Sequence, residues 1–224
     1  KTSVADFFYQ ILYLNRIPVA SVGTLGIKTR NKVLKNDLTS PDIISLHKIL
    51  YELKKQKIDN VIIEASSHGL EQGRLDGLKF KAGIFTNFSQ DHLDYHKNMK
   101  SYLNAKLILF SKLLYPKSRV IVDKFIKEYP RIKKISKKRK LKLLKFNDKL
   151  EKFNHLNSSL IGPFQNKNLC MAVVAANLCS LKNKEIQKVL SKITNVDGRL
   201  ELVKKFSNDV RVFIDYAHTP HALF

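Results

Sequence analysis

Residues 60–66 read NVIIEAS, three β-branched residues in a row that stop at a glutamate. A short apolar run without alternation is the pattern of a strand buried on both faces, so the stretch predicts a central strand of a parallel sheet. Similar runs occur at 17–23 (IPVASVG), 81–87 (KAGIFTN), 119–123 (RVIVD) and 211–218 (RVFIDYAH). Helical patterns fall between them. In VADFFYQILYLN, residues 4–15, Val4, Phe7, Phe8, Ile11 and Leu12 have the spacing of one buried helix face. Ser40 followed by Pro41 predicts a capped helix start for residues 40–57. Residues 99–114, 166–179 and 184–193 also read as helices, and 24–38 as a polar connector. Strands alternating with helices give an α/β domain whose mainly parallel sheet is flanked by helices.

The 224 residues suffice for a substantial core, and 44% of them are hydrophobic. No stretch reaches the roughly 18 uninterrupted apolar residues of a membrane span, and no charged-then-apolar leader opens the chain, so we expect a cytoplasmic protein with no membrane insertion. Cys170 and Cys179 are nine residues apart in an apolar run, a spacing that suits neither a metal site nor a disulfide framework, and both read as buried thiols. The net charge of +22 raises the question of nucleic acid. Its densest part, 117–152, lacks the glycine and aromatic pattern of an RNA-recognition module and reads as a solvated basic surface, comprising a helix and an edge strand LKLLKF at 141–146.

In a parallel sheet, ligands bind outside the carboxyl ends of the strands. Those ends are consistently polar here. VIIE ends in Glu64 and runs into ASSHGLEQGR; GIFTN ends in Asn87 and runs into FSQDHLDYH; VFID ends in Asp215 and runs into YAHTPH. Carboxylates, histidines and hydroxyls thus gather at one edge. Helix N-termini carry unpaired N–H groups, and the opening Lys1-Thr2 pair matches the tail of a phosphate-binding loop, although such a pair is also common by chance. Glu64 and the Thr2 hydroxyl suit a hard cation such as Mg2+. His68, His92, His96 and His218 are further candidates, Asp91 and Asp94 read equally as helix caps, and His47 reads as an ordinary helix histidine.

The strings KTS at 1–3, EASSHGLEQGRL at 64–75, TNFSQDHLDYHKNMKSYLNAKLILF at 86–110, GPFQNKN at 162–168, VDGRLELV at 196–203 and IDYAHTPHAL at 214–223 resemble the ordered motifs of the Mur ligases, most closely those of the MurE type. The resemblance covers nearly the whole chain. It implies a P-loop-type central ATP-binding domain over 1–199, with the phosphate loop cut at its start. Residues 200–224 would then begin a Rossmann-like carboxyl-terminal domain. It also implies ATP and Mg2+ as cofactors, and as substrates UDP-N-acetylmuramoyl-L-alanyl-D-glutamate and a diamino acid, meso-diaminopimelate or L-lysine. A monomer that binds no nucleic acid is expected.

Residue by residue, the resemblance assigns Lys1 to the ATP phosphates and to catalysis, Thr2 to the metal and ATP, and Glu64 and His92 to the metal, His92 also to catalysis. Lys106 matches a lysine that the family carbamylates into a metal ligand. Thr39, Ser40, Ser66, Gln72 and Arg74 match contacts to the UDP-linked substrate. Gln165, Asn168, Arg199 and Asp215 match contacts to the nucleotide, Gln165 replacing the usual asparagine. His218 receives no role. Other ligases of the superfamily, of the folylpolyglutamate or cyanophycin synthetase kind, remain alternatives, as do a metal-dependent phosphohydrolase built on DHLDYH and a basic nucleic-acid-binding module.

Overall fold

The structure is a computed structural model, and it describes residues 1–146, 160 and 162–219. The final residues of the expected lysine-rich segment (147–152) and of the expected second domain (220–224) lie outside it. The elements run α1 (Thr2–Leu14), β1 (Val19–Gly23), β2 (Gly26–Lys28), β3 (Val33–Leu34), α2 (Ile43–Lys55), β4 (Asn60–Ile63), α3 (Ser67–Glu71), β5 (Phe80–Phe85), α4 (Leu93–His96) and α5 (Met99–Ile108). A π-helical turn (Leu109–Leu113) leads into β6 (Leu114–Val122). Then come α6 (Tyr129–Lys138), β7 (Lys142–Lys145), α7 (Pro163–Ala176), α8 (Asn183–Leu190), β8 (Glu201–Lys205) and β9 (Arg211–Ile214).

The α/β class expected from the alternation is the one observed. Strands β1 and β4 pair in parallel, as do β5 with β6 and β6 with β7. The detail differs in three places. The connector at 24–38 holds β2 and β3, which pair antiparallel and extend the sheet to the order β3-β2-β1-β4. At three and two residues, they are too short to show the alternation that would reveal them. Residues 60–63 form the edge of that four-stranded sheet and are half-buried, whereas their apolar run predicts a centre. β4 and β5, the edge of the second sheet, face each other across a cavity of about 430 Å³. Finally, α2 is capped by Asp42, whose side chain accepts from Ser45 N, while Ser40 and Pro41 lie ahead of the helix.

Three apolar clusters hold these layers together. The largest joins α1 to α7 and α8, with Phe7, Ile11, Leu12, Leu169 and Met171 almost fully buried. A second packs α5 and α6 on β5–β7 around Phe110 and Ile132, and a third seats α2 and α3 against β1 and β4 through Leu46, Leu70 and Val22. Because α1 is buried along most of its length, its first turn is held rigidly beside the ends of β1 and β4. The lysine-rich segment forms α6 and the edge strand β7, as expected. Cys170 is buried and Cys179 half-buried, and they are not joined in a disulfide. β8 and β9 form a separate antiparallel ribbon with an exposed surface. No described helix is long and apolar enough to cross a membrane.

Candidate functional site

Glu64 directly follows β4 and is 4% exposed. A buried carboxylate is tolerated only when its oxygens are paired, and those of Glu64 are paired from two sides. Thr2 Oγ1, in the first turn of α1, donates to Oε2 at 3.1 Å; Thr24 N, just beyond β1, donates to Oε1 at 2.9 Å. Gly23, the last residue of β1, leaves the necessary room, since a Cβ there would stand 2.2 Å from Glu64 Oε1.

Two groups of side chains extend from this carboxylate. On the α1 side, the Arg199 guanidinium donates to Thr2 Oγ1 at 3.1 Å and lies over the Tyr216 ring. The backbone oxygen of Arg199 accepts from the buried Gln165 Nε2 at 3.0 Å, and Asn168 Nδ2 donates to Gln165 Oε1 at 3.2 Å. Asp215 fixes the same loop by accepting from Leu200 N and Ala217 N. Thr2, Arg199, Gln165, Asn168 and Asp215 are thus joined by short contacts, although 213 residues separate the first from the last.

On the other side, Thr24 Oγ1 is 3.1 Å from Thr39 Oγ1. Ser40, fully buried, donates from Oγ to Glu64 O at 2.7 Å and accepts from Ser66 N at 3.0 Å. This explains why Ser40 does not cap α2. Ser66 caps α3 instead, accepting from Gly69 N at 3.0 Å. Arg74 donates to Ser40 O at 2.9 Å and to Gln72 Oε1. All five residues expected to contact a nucleotide-linked substrate therefore line one hydrogen-bonded arc.

The expected metal set is gathered only in part. Thr2 and Glu64 touch, but among the described residues no three His, Cys, Asp or Glu side chains converge as a ready-made cage. His92 Nε2 is 3.4 Å from Asp91 Oδ2, and burial lowers its pKa, with Asp91 opposing and Lys1 reinforcing the shift. Asp91 caps no helix: its Oδ1 accepts from His92 N, and His92 itself precedes α4 with a left-handed backbone. His218 Nε2 lies 3.8 Å from the other Asp91 oxygen. Lys106 projects toward the rings of Phe85 and Tyr102, and its pKa is lowered to about 7, chiefly by burial and then by the Lys1 charge. Tyr102 is pushed the other way, to about 12, by burial and by Asp91. The Lys1 side chain is also lowered by desolvation, with the Glu64 and Asp91 carboxylates pulling it back up.

These groups fit a Mg2+-nucleotide complex. Mg2+ is usually held by one or two carboxylates plus phosphate oxygens and water, so a full protein cage is not required. Sequence reasoning missed Thr24, Asp91 as the partner of two histidines, and Tyr102. Thr24 was within reach of the rule that found Glu64, because it is the first polar residue beyond an apolar strand.

Residues 1–176 match the Mur ligase middle domain, and the chain belongs to that family. Among curated relatives, the UDP-N-acetylmuramoyl-L-alanyl-D-glutamate--2,6-diaminopimelate ligases of Rickettsia bellii and Zymomonas mobilis are 37% and 35% identical over all of this chain. The chain spans about half the length of these relatives, 52% and 50%. A solved ligase of the same description superposes over the whole chain and 50% of its own with a TM-score of 0.79 at 25% identity. An Escherichia coli FolC structure covering 98% of this chain and 60% of its own, with a TM-score of 0.69 at 15% identity, shares the fold.

Substituting Gly23→Ala should displace Glu64, because the new methyl meets its side chain at 2.2 Å. We expect a loss of about 1–3 kcal/mol in urea unfolding, typical of overpacking. An unchanged unfolding midpoint would mean that the carboxylate is not fixed as described.

Proposed function

We propose that the protein to which this chain belongs is an ATP-dependent ligase that joins the free amine of a diamino acid to the terminal carboxylate of UDP-N-acetylmuramoyl-L-alanyl-D-glutamate, in peptidoglycan synthesis. The single observation that carries this reading is the placement of Glu64 between the Thr2–Arg199 group and the Thr39–Ser40–Ser66 arc. Such a site can present a phosphoryl donor and a carboxylate acceptor to one another. The names of the relatives favour diaminopimelate over L-lysine as the third residue.

In this reading the amino-terminal end of α1 and the Lys1 ammonium hold the β- and γ-phosphates, as a helix N-terminus with its dipole favours. Arg199 adds a second cation to the same phosphates, and Gln165, Asn168 and Asp215 shape the nucleotide's side of the seam. Thr2 and Glu64 would hold Mg2+, which, when bound, neutralises charge on the phosphates. Arg74, Gln72, Ser66, Ser40 and Thr39 orient the nucleotide-linked substrate. Its carboxylate oxygen attacks the γ-phosphorus and ADP leaves, giving an acyl phosphate. The neutral amine then attacks the acyl carbon, phosphate departs, and the amine gives up a proton. Catalysis is mainly positioning and charge compensation, because the phosphoryl group needs little covalent help from the protein.

Lys106 enters as a carbamate. Its neutral amine attacks CO2, a C–N bond forms, and a proton passes to water, turning a cation that repels Mg2+ into a carboxylate that suits it. An ordinary lysine is almost fully protonated at neutral pH and would resist this, whereas a pKa of about 7 leaves a large neutral fraction. The reading keeps the expectation of a cytoplasmic monomer. Residues 1–199 would form the nucleotide-binding unit, and 200 onward the start of the next. The reading assigns no role to the lysine-rich segment and keeps the expectation that no nucleic acid is bound.

The test is phosphate release from ATP by the whole protein, with the UDP-linked dipeptide and with diaminopimelate or L-lysine supplied separately. Release requiring the dipeptide and one amino acid, diaminopimelate by expectation, supports the reading. Release indifferent to both returns the phosphohydrolase alternative. A second prediction concerns pH. At fixed CO2 pressure, a ¹³C carbamate resonance should grow as pH rises through about 7 and be missing in Lys106→Met. The lowered pKa also means that the folded state binds fewer protons than the unfolded state between about pH 7 and the ordinary lysine value of 10.5. Stability from this residue therefore increases with pH across that window, and the Met variant should lose that slope.

A further inference from the structure

His96 has no part in the chemistry above, yet it is the only buried side chain of α4 and is 3% exposed. Its Nε2 lies 2.9 Å from Ser67 Oγ, in the first turn of α3. Its Nδ1 is 3.2 Å from Glu71 Oε2 but off the hydrogen-bonding axis. The ring stacks on Tyr102 at 5.1 Å and meets the neighbouring Tyr95 edge-on at 4.8 Å. Tyr95 makes a second tie in the same direction, its hydroxyl accepting from Gln72 Nε2 at 3.1 Å.

α4 is a single turn whose two flanks, His92 and Lys97, both have positive φ, 53° and 65°. Left-handed backbone at residues other than glycine persists only where surrounding contacts over-determine it. With the other three side chains of α4 half-buried or exposed, the His96 ring is its main anchor. That anchor grips α3, the turn that carries Ser66 at one end and Gln72 at the other. His92, at the start of the same turn, has contacts of its own, its ring edge-on to Tyr102 at 5.8 Å and its Nε2 3.4 Å from Asp91 Oδ2, so its place does not depend on His96 alone.

We propose that His96 is a positioning residue: its imidazole, held between Ser67 and the Tyr102 ring, fixes α3 against the turn bearing His92 and thereby sets affinity for the nucleotide-linked substrate rather than for ATP. The inference deepens the ligase reading and rests on it for the identity of that substrate. Its structural half stands apart from any activity. Gln places an amide N–H at the same number of bonds from the backbone as His Nε2, so His96→Gln preserves the tie to Ser67, while His96→Leu keeps bulk and removes it.

The experiment compares His96→Leu, His96→Gln and Ser67→Ala in the whole protein. For His96→Leu and Ser67→Ala we expect KM for the UDP-linked dipeptide to rise about tenfold, with KM for ATP and kcat changed less than about twofold, as for loss of one buried hydrogen bond on the substrate side. The double variant should cost no more than either single one, and His96→Gln should restore most of the loss. Equal rises in both KM values, a loss confined to kcat, or folded His96→Gln behaving like His96→Leu would overturn the proposal. Amide exchange is measured on the same proteins without substrate. Faster exchange confined to 66–72 and 92–98 is expected in His96→Leu and Ser67→Ala; unchanged exchange there, or a uniform rise across the chain, contradicts it. If the wild-type protein shows no ligase turnover, the functional reading fails and the exchange result alone decides whether His96 positions α3.

Discussion

A buried carboxylate sets the terms for this structure. Glu64 sits where β4 ends, almost without solvent, and a charge so placed is stable only with donors directed at it. Those donors come from α1 and from the residue after β1, so the carboxylate ties the helix and two strand ends to one point. Packing makes the tie rigid. The buried faces of α1 lock it against α7 and α8, and Val22, next to the glycine that makes room for Glu64, lies in the cluster under α2 and α3.

From that point the two halves of the candidate site follow as neighbours. Thr2 carries the network to Arg199 and, through its backbone, to Gln165 and Asn168. Thr24 carries it to Thr39, and the Glu64 carbonyl carries it to Ser40 and Ser66. Cations surround the centre: Lys1, Lys106 and Arg199 are near enough for their charges to affect one another. Bringing several cations together is costly unless anions arrive, and in the proposed reading phosphates would supply that compensation. The strong basicity of the whole chain is a separate matter, since the lysines of α6 and β7 lie on an outer helix and an edge strand.

Much of this was legible in the sequence because it depends on local rules. Short apolar runs located β1, β4, β5 and β9, and the polar residues ending two of them gave Glu64 and Asp215; helical spacing located α1. What escaped depends on tertiary partners. Ser40-Pro41 has the grammar of a helix start, but its hydroxyl is claimed by Glu64 O and Ser66 N, 24 and 26 residues away, and Asp42 does the capping. β2 and β3, three and two residues long, are too short to show a period. The run at 60–63 looks central because its side chains are apolar, a property that does not report whether a neighbouring strand is present. The low pKa of Lys106 cannot be read from a helix sequence, since it arises from burial and from Lys1, 105 residues earlier.

The most direct measurement is calorimetric binding to the Glu64→Ala protein, titrated separately with a Mg2+-bound non-hydrolysable ATP analogue and with the UDP-linked dipeptide. If Glu64 holds both halves of the site in place, both affinities fall by about tenfold or more, the expected scale for breaking a buried charged network, although no residue of the substrate arc has been altered. An unchanged affinity for either ligand in a folded variant would contradict that account and leave two independent half-sites.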